Sequence, residues 1–464
     1  MRTHAARPGI PSPPVRNVAG RAAPRPPFMP PSMRHPHPAP PSRMLDITRA
    51  DRRVGLRPRR PARWARTALL ALAAVACGGG DDGPTPPDPD PTGSVALPVL
   101  GLGAIPDRFT AEVAVRGTTA YTTTWGRRGT LVGNALYVWD VGGAVPALVD
   151  SAFVEQATTL GDVQVSDDGA LLLVAVEPQP TGKVVLYSLA NPRRPEPIAQ
   201  FASPNTANGV HTATLARVGG TLYGFLAIDP GPNGPARLVV LDLSTPTAPR
   251  EILSRIMGAP FVHDVFVRDG LLFTALWHDG LTIWDIGGGG RGGTPAAPVQ
   301  VGNVRTVNGS VHNVAWVQLP GGGGARYAWV GEEGPGGVAG AESSGDVHVV
   351  DVTDLAQPRE VAVYAVPGAG THNFAVDEAR GVLYAAYYNA GVRALDVRGD
   401  LAACTAQQRT ADGRCDLARM GRELGHGLTT TGRDVFVWGV ALEGGSLYAS
   451  DMFNGLWKLG TVVR

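Results

Sequence analysis

Apolar and polar residues alternate with a period of two in seven similar pairs of short segments. Each pair has an alternating segment, a turn rich in Gly or Asp, and a second alternating segment, as in DVQVSDDGALLLVA from Asp162 and DVFVRDGLLFTALW from Asp264. This pattern predicts a β-hairpin. Equivalent positions of the seven hairpins are Val113, Val163, Ala213, Val265, Val314, Phe374 and Val440, at steps of 50, 50, 52, 49, 60 and 66 residues. Self-similarity at this period predicts seven repeated structural units.

A third apolar segment follows each hairpin, as in LTIWDI ending at Ile286, and most units add a fourth apolar run. Four short antiparallel strands in about fifty residues are typical of a β-propeller blade. The seventh unit lacks a fourth strand, while VALPVLGL at Val95 to Leu102 precedes the first hairpin. We therefore predict an all-β fold, a seven-bladed β-propeller of four-stranded antiparallel blades over residues 95–464. An N-terminal strand closes the ring and removes an exposed edge.

The two long steps between units have visible causes in the sequence. A Gly-rich insert follows Gly331 in the fifth unit, and residues 398–434 lengthen the sixth. We expect both stretches to be surface loops, and Glu332 and Glu333 at the start of the insert to be solvated charges.

The residues before the repeats predict targeting rather than folding. Thirteen Pro fall within residues 1–43, so we expect this stretch to be disordered, or untranslated if synthesis starts at Met44. An Arg-rich run and the apolar stretch Thr67 to Ala76 then predict a signal peptide over residues 44–76, because the stretch is too short to span a bilayer as a helix. Residues 77–94 are rich in Gly, Pro and Asp and predict a flexible tether.

The junction Ala74-Val75-Ala76-Cys77 resembles the lipobox of bacterial lipoproteins. The resemblance implies that Cys77 carries lipid, becomes the first residue of the mature chain and anchors it to a membrane of the bacterial cell envelope. Gly78 after the Cys implies export to the outer membrane, on its periplasmic or surface face. An ordinary cleaved signal peptide with an incidental Cys is the alternative.

The two remaining cysteines, Cys404 and Cys415, lie close together in a polar segment. An extracytoplasmic setting favours a disulfide between them. Two free thiols are the alternative.

Charge divides the chain into two unlike parts. Residues 1–76 carry a net charge of +13, and residues 77–464 carry 26 basic against 38 acidic residues, a net of −12. The second part lacks the clustered basic surface that binding to a phosphate backbone requires. We therefore expect no nucleic-acid partner.

The repeated units resemble LVIVD repeats, a bacterial group related to YVTN-type propellers. The nearest segments are DVFVRDG from Asp264 and LTIWDI ending at Ile286. Full-length lipoproteins called choice-of-anchor B proteins are similar as well. The resemblance covers about residues 95–464 and implies the fold rather than the function, because propellers host many unrelated activities.

One column of the repeat carries candidate chemistry. The residues just before the first strand of successive units are Ala111, Gly161, His211, His263, His312, His372 and Trp438. The first strand of a blade is the innermost, so four imidazoles could converge at one mouth of the central channel. Neutral imidazoles suit zinc, copper or iron. In this interpretation His263, His312 and His372 are the core ligands, and His211 is a fourth ligand or supports them.

A structural interpretation of the same column stands beside the metal site. The next column is mostly short and polar, and such side chains at a strand start often bond neighbouring backbone groups. Histidines there could do the same. A period of two also places His263 on the face of Val265, between blades.

The sequence contains no recognisable catalytic constellation and leaves open whether the chain is an enzyme. We predict a lipid-anchored, extracytoplasmic propeller that acts as a binding scaffold for a protein, peptide or glycan, and we expect a monomer. The alternative is a metal-dependent enzyme, an oxidoreductase or hydrolase, that uses the histidines at the channel mouth.

Overall fold

The strands of the chain form the seven four-stranded antiparallel blades of a β-propeller, as the repeat predicts. The computed structural model describes residues 95–177, 181–258, 260–320, 326–333 and 343–463. The stretches predicted as a disordered segment, signal peptide and tether, with Cys77, lie outside these residues. In the described part of the chain, no helix is long and apolar enough to cross a membrane.

The first three blades follow one another along the chain after two strands, β1 Val95–Ala96 and β2 Val99–Ala104. Blade one contains β3 Phe109–Arg116, β4 Thr119–Trp125, β7 Ala135–Asp140 and β8 Ala147–Phe153, with a small hairpin of β5 Arg127–Arg128 and β6 Leu131–Val132. Blade two contains β9 Leu160–Val165, β10 Leu171–Val176, β11 Lys183–Ser188 and β12 Glu196–Phe201. Blade three contains β13 Val210–Val218, β14 Thr221–Ile228, β15 Arg237–Asp242 and β16 Arg250–Arg255.

The remaining blades repeat this order. Blade four contains β17 Asp264–Arg268, β18 Leu271–Ala275, β19 Leu281–Asp285 and β20 Val299–Val304. Blade five contains β21 Val311–Val317, β22 Tyr327–Glu332, β23 Val347–Asp351 and β24 Arg359–Tyr364. Blade six contains β25 Phe374–Asp377, β26 Val382–Ala386, β27 Val392–Asp396 and, after a 3-10 turn at Ala406–Gln408 and β28 Cys415–Asp416, β29 Glu423–Gly427. Blade seven contains β30 Val437–Glu443, β31 Ser446–Asp451 and β32 Gly455–Gly460.

The N-terminal strand closes the ring, as predicted. β2 pairs antiparallel with β32 and supplies the fourth strand of blade seven. β1 pairs in parallel with β29 of blade six, so the segment joins two blades. Leu97 between the two strands is buried among apolar residues of both blades.

Residues 398–434 are not simply the surface loop that we expected. β29 is the fourth strand of blade six, and β28 pairs in parallel with β24, the outer strand of blade five. Leu401 and Leu417 are fully buried in the cluster between these blades. The sequence of β29, ELGHG, offers little apolar alternation, so its pairing depends on the neighbouring strands.

The core lies between the faces of neighbouring blades. Leu173 of blade two packs in one cluster with Leu226 of blade three, and Trp329 of blade five in another with Tyr387 of blade six. Face-to-face packing of sheets buries the apolar residues of each alternating strand. The first strand of each blade faces the channel; His211 and His312 lie in such strands, and His263 and His372 lie just before them.

Candidate metal centre

The histidine column lies where the inner strands break their regular pairing. His211 falls at a register shift of β13 and His312 at the same shift of β21. Before β17 and β25, the backbone N–H groups of His263 and His372 donate to Ala275 and Ala386 at 2.8 Å. A β-bulge re-aims side chains, and bulges are common beside functional sites. The irregularity breaks the alternation that would place His263 on the face of Val265.

The four imidazole rings lie side by side across blades three to six. The ring centroids of His211 and His263 are 4.3 Å apart, those of His263 and His312 are 4.0 Å apart, and those of His312 and His372 are 4.2 Å apart. The Nε2 atoms of His211 and His263 are 3.0 Å apart. The last three rings are buried, and His211 keeps about a quarter of its side chain exposed. The structure thus brings the predicted histidines together.

The insert of blade five supplies a carboxylate to this row. One oxygen of Glu333, Oε2, lies 3.9 Å from His263 Nε2 and 3.8 Å from His312 Nε2. The other, Oε1, accepts a hydrogen bond of 2.6 Å from the Tyr388 hydroxyl. Glu333 is buried, so the expectation of a solvated loop charge was wrong, and burial raises its pKa to about 7. The histidine column does not indicate this residue, which directly follows β22, the second strand of its blade.

His312 is the least satisfied side chain of the cluster. Only 1% of it is exposed, and neither of its ring nitrogens makes a hydrogen bond within the described residues. Burial and the nearby His372 and His211 lower the pKa of His312 well below its ordinary value, so the ring is neutral. An unpaired buried polar group costs about 1–3 kcal/mol. A metal ion would satisfy the unprotonated nitrogen.

The spacing of these groups fits a metal ion. The ligand atoms of His263, His312 and Glu333 all lie within 4.8 Å of one another. Bonds of about 2.0–2.1 Å in a tetrahedron place ligand atoms roughly 3.3 Å apart. His263 Nε2 lies 3.0 Å from His211 Nε2 and 3.9 Å from Glu333 Oε2, and His312 Nε2 lies 3.8 Å from the same Glu333 oxygen. These distances lie on either side of the tetrahedral value. His263, His312 and Glu333 therefore form a ligand set of the kind that binds zinc, copper or iron, and His211 Nε2 lies beside this set, 3.0 Å from His263 Nε2.

His372 stands beside this set rather than in it. It belongs to none of the groups of three whose ligand atoms lie within 4.8 Å of one another in the described residues. Its Nδ1 lies 3.5 Å from Glu112 Oε1, and its ring packs against Trp438 with centroids 4.6 Å apart. His372 therefore supports the neighbouring ligands by contact and is not itself a member of the ligand set.

Two aromatic residues with unusual backbone angles enclose the row. Trp277 has a φ of 54° and stacks on His263 with centroids 5.3 Å apart, and Tyr388 has a φ of 39°. Each forms an isolated bridge to the inner strand of the next blade, at Val311 and Val437. A bulky residue in the left-handed region costs on the order of 1–3 kcal/mol, and such strain concentrates at functional sites. Both residues hold an aromatic ring against the histidines.

A second group adjoins the first through His211. His211 Nδ1 lies 3.1 Å from Glu177 Oε1 and 3.7 Å from Asp229 Oδ1. Burial alone would lower the pKa of His211, but Asp229, Glu177 and Glu333 outweigh it and raise the pKa to about 10. Burial raises the pKa of Asp229 to about 6. Glu177 and Asp229 directly follow the second strands of their blades, as Glu333 does in blade five, so one column of the repeat supplies all three carboxylates.

The column after the histidines makes structural bonds, as its short polar residues predict. Asp162 Oδ2 accepts from the Ala213 backbone N–H of the next blade at 2.9 Å, and the Thr212 hydroxyl donates to the His263 carbonyl at 2.7 Å. Asn373 Nδ2 donates to Glu112 at 2.6 Å. This network ties neighbouring blades together beside the histidine row.

His348 forms a separate buried ion cluster. Its Nδ1 lies 2.6 Å from Glu360 Oε1, and its Nε2 lies 3.0 Å from Glu332 Oε2. Arg414 also pairs with Glu360. Glu332 is therefore buried and paired, contrary to the expectation of a solvated charge. His348 thus has a hydrogen bond at Nδ1 and an ion-pair contact at Nε2, whereas neither nitrogen of His312 makes a hydrogen bond within the described residues.

The two cysteines outside the signal region lie at disulfide-bonding distance, as predicted. The Cα atoms of Cys404 and Cys415 are 5.9 Å apart, and the sulfurs are bonded. The loop that they close carries Arg414 to its contact with Glu360.

A cavity of about 250 Å³ lies away from the histidines. Its lining includes Arg326, Tyr327 and Trp329 and contains no member of the metal set. The histidine site is thus not part of this cavity.

Comparisons with known proteins find only distant structural likeness. No protein-family model matches the sequence, and neither does any curated protein. The chain is similar to the crystal structure of the C-terminal WD40 domain of Sif2, with a TM-score of 0.46 and 12% identity over 76% of this chain and 81% of that one. It is also similar to the computationally designed Ika8 protein, with a TM-score of 0.47 and 9% identity over 78% of this chain and 100% of that one.

Proposed function

We propose that the protein binds one divalent transition-metal ion at the channel through His263, His312, Glu333 and the Nε2 atom of His211. The observation that carries the proposal is His312, a neutral buried imidazole without a hydrogen bond that lies beside a buried carboxylate. A histidine that served only packing or backbone bonding would have hydrogen-bond partners for its ring nitrogens. Neutral imidazole nitrogens and a carboxylate are ligands for zinc, copper or iron.

The surroundings also suit a bound ion. Tyr388 holds Glu333 Oε1 by a hydrogen bond, which leaves Oε2 directed at the two histidines. Partners of this kind orient ligands in metal sites. The cation would compensate the buried charge of Glu333, a charge that is costly without a partner.

Metal content of the full chain, made without a histidine tag and reconstituted with zinc, tests the proposal. We expect at least one zinc ion per chain, measured by elemental mass spectrometry. Glu333→Gln keeps the size of the side chain and removes its charge, and should lower zinc affinity by more than the 10–100-fold that loss of a supporting residue costs. His278→Ala and Glu155→Gln are matched controls, because both residues are exposed. No retained zinc, or equal affinity in Glu333→Gln, would overturn the proposal.

We also propose the finer setting that the sequence predicts, an LVIVD-repeat propeller held outside the cytoplasm by lipid on Cys77. The Cys404–Cys415 disulfide supports this location, because disulfides persist in oxidising compartments. Cys77→Ala should release the protein from the membrane fraction and abolish labelling by a fatty-acid analogue. Cys404→Ser is the control, since it removes a different cysteine and leaves Cys77 in place. Unchanged partitioning of Cys77→Ala would refute the anchor.

The second candidate function is the binding scaffold, a typical use of the propeller fold. Exposed apolar side chains at the seam between blades seven and one favour it: Val99, Leu100, Val145, Leu148 and Phe153 are each more than two-fifths exposed. Exposed patches of this kind mark interaction sites. A photocrosslinking residue at position 148, compared with one at Arg250 on the outer strand of blade three, tests it in intact cells. A discrete adduct specific to position 148 supports a protein partner, and equal patterns at both positions count against one.

A further inference from the structure

The carboxylates beside His211 form a group of their own. Glu177 follows β10 of blade two, and Asp229 follows β14 of blade three, so the ends of two second strands meet the inner strand that carries His211. The ligand atoms of the three residues lie within 4.8 Å of one another. The side chains of Glu177, His211 and Asp229 are 16%, 26% and 22% exposed, so this group reaches solvent, while the inner set is buried.

We infer that His211 bridges two metal ions, the inner one on Nε2 and a second, outer one on Nδ1 that Glu177 and Asp229 also bind. This inference deepens the proposed function and rests on it. His211 presents one nitrogen to each group: Nε2 lies 3.0 Å from the Nε2 atom of His263, and Nδ1 faces both carboxylates.

The outer group has the spacing of a ligand set. His211 Nδ1 is 3.1 Å from Glu177 Oε1 and 3.7 Å from Asp229 Oδ1. Ligand atoms around a tetrahedral ion lie roughly 3.3 Å apart. A carboxylate that only oriented the histidine would need one of these contacts, and the structure provides two.

Charge favours two ions over one. Glu333, Glu177 and Asp229 each contribute −1, and a His211 ring that binds metal through both nitrogens contributes another −1 because the second ion displaces its proton. Two divalent ions balance these four negative charges, whereas one ion leaves an excess in a largely desolvated site. Uncompensated charge in such a site is costly.

The two positions differ in what they can do. The inner ion has four protein ligands, the closed arrangement of structural sites, and the outer ion has three, the arrangement that keeps a position for water or substrate. The partial exposure of the outer group gives that position access to solvent. The exchangeable ligand of the outer ion is therefore water or an anionic oxygen group.

Copper loading of the full chain tests the bridge without an activity assay. We expect about two Cu²⁺ ions per chain and a strongly reduced EPR signal, because an imidazolate bridge couples the two spins. Glu177→Gln with Asp229→Asn should bind about one ion and restore the full signal of isolated Cu²⁺. Glu155→Gln, an exposed carboxyl change, should behave like the parent.

The outcomes separate the inference from the proposed function. One ion per chain with a full signal would overturn the bridge and leave the inner site standing. Two ions with a full signal would overturn the bridge as well, because the second ion would then lie away from His211. No bound copper, with no bound zinc, would overturn both.

Discussion

Replacement of His312 by Leu should stabilise the metal-free protein while it abolishes metal binding at the inner site. Both ring nitrogens of His312 are buried without a hydrogen bond, and each such group costs about 1–3 kcal/mol. A hydrophobic exchange of similar volume costs up to about 1.5 kcal/mol in altered packing, here against the rings of His263 and His372. The two groups together cost about 2–6 kcal/mol, so after the packing cost we expect a gain of at least about 0.5 kcal/mol in the free energy of unfolding of the metal-free variant.

Zinc should reduce or reverse this difference in the free energy of unfolding between His312→Leu and the parent. At a free zinc concentration of about one hundred times Kd, the parent gains about 2.7 kcal/mol, whereas His312→Leu gains none at this site. Urea unfolding followed by tryptophan fluorescence, once with chelator and once with zinc, measures both differences. The variant should be the more stable protein in chelator, and its advantage over the parent should fall by about 2.7 kcal/mol in zinc.

His348→Leu is the matched control, because this histidine is equally buried but faces Glu332 and Glu360. Removal of one partner from a buried ion cluster costs about 3–5 kcal/mol, so this variant should be destabilised with or without metal. If His312→Leu were destabilised in chelator by more than the packing cost of about 1.5 kcal/mol, the histidine would be structural and the reasoning from its unpaired nitrogens would be refuted.

Three further predictions concern stability and the metal set. Burial alone would lower the pKa of His348, but Glu332 and Glu360 outweigh it and raise the pKa to about 9. The stability that protonated His348 contributes is therefore fully present below the unfolded pKa of about 6.5 and is lost as pH rises through 9. His348→Gln should flatten this decline of the free energy of unfolding with pH, measured by urea titrations. Leu97→Ala, at the ring closure, should lower the free energy of unfolding by about 2–5 kcal/mol. Leu100→Ala, at an exposed site, should change it by no more than about 0.5 kcal/mol. Equal effects of the two variants in urea unfolding would exclude a closing role for Leu97. Tyr388→Phe should weaken zinc binding by about 10–100-fold in calorimetry with little change in the far-UV spectrum, and unchanged affinity would mean that its hydroxyl does not position the carboxylate.

The candidate site was predictable only in part. The repeat identifies the histidines because equivalent residues of successive blades reach the same radius of the ring. It misses Glu333, Glu177 and Asp229, because the column that they share, directly after the second strand of each blade, carries a carboxylate in only three of the seven blades. It also includes His372, which the structure places beside the ligand set with Glu112.

The sequence by itself determined the all-β fold, the number of blades, the closing strand and the pairing of Cys404 with Cys415. These features depend on local alternation and on spacing along the chain, and both can be read from residue types. Tertiary structure alone decided which side chains converge, because bulges in the inner strands re-aim the histidines and ring closure brings together residues more than a hundred positions apart, such as His211 and Glu333. Burial likewise followed from packing: it turned Glu333 from an expected surface charge into a candidate ligand.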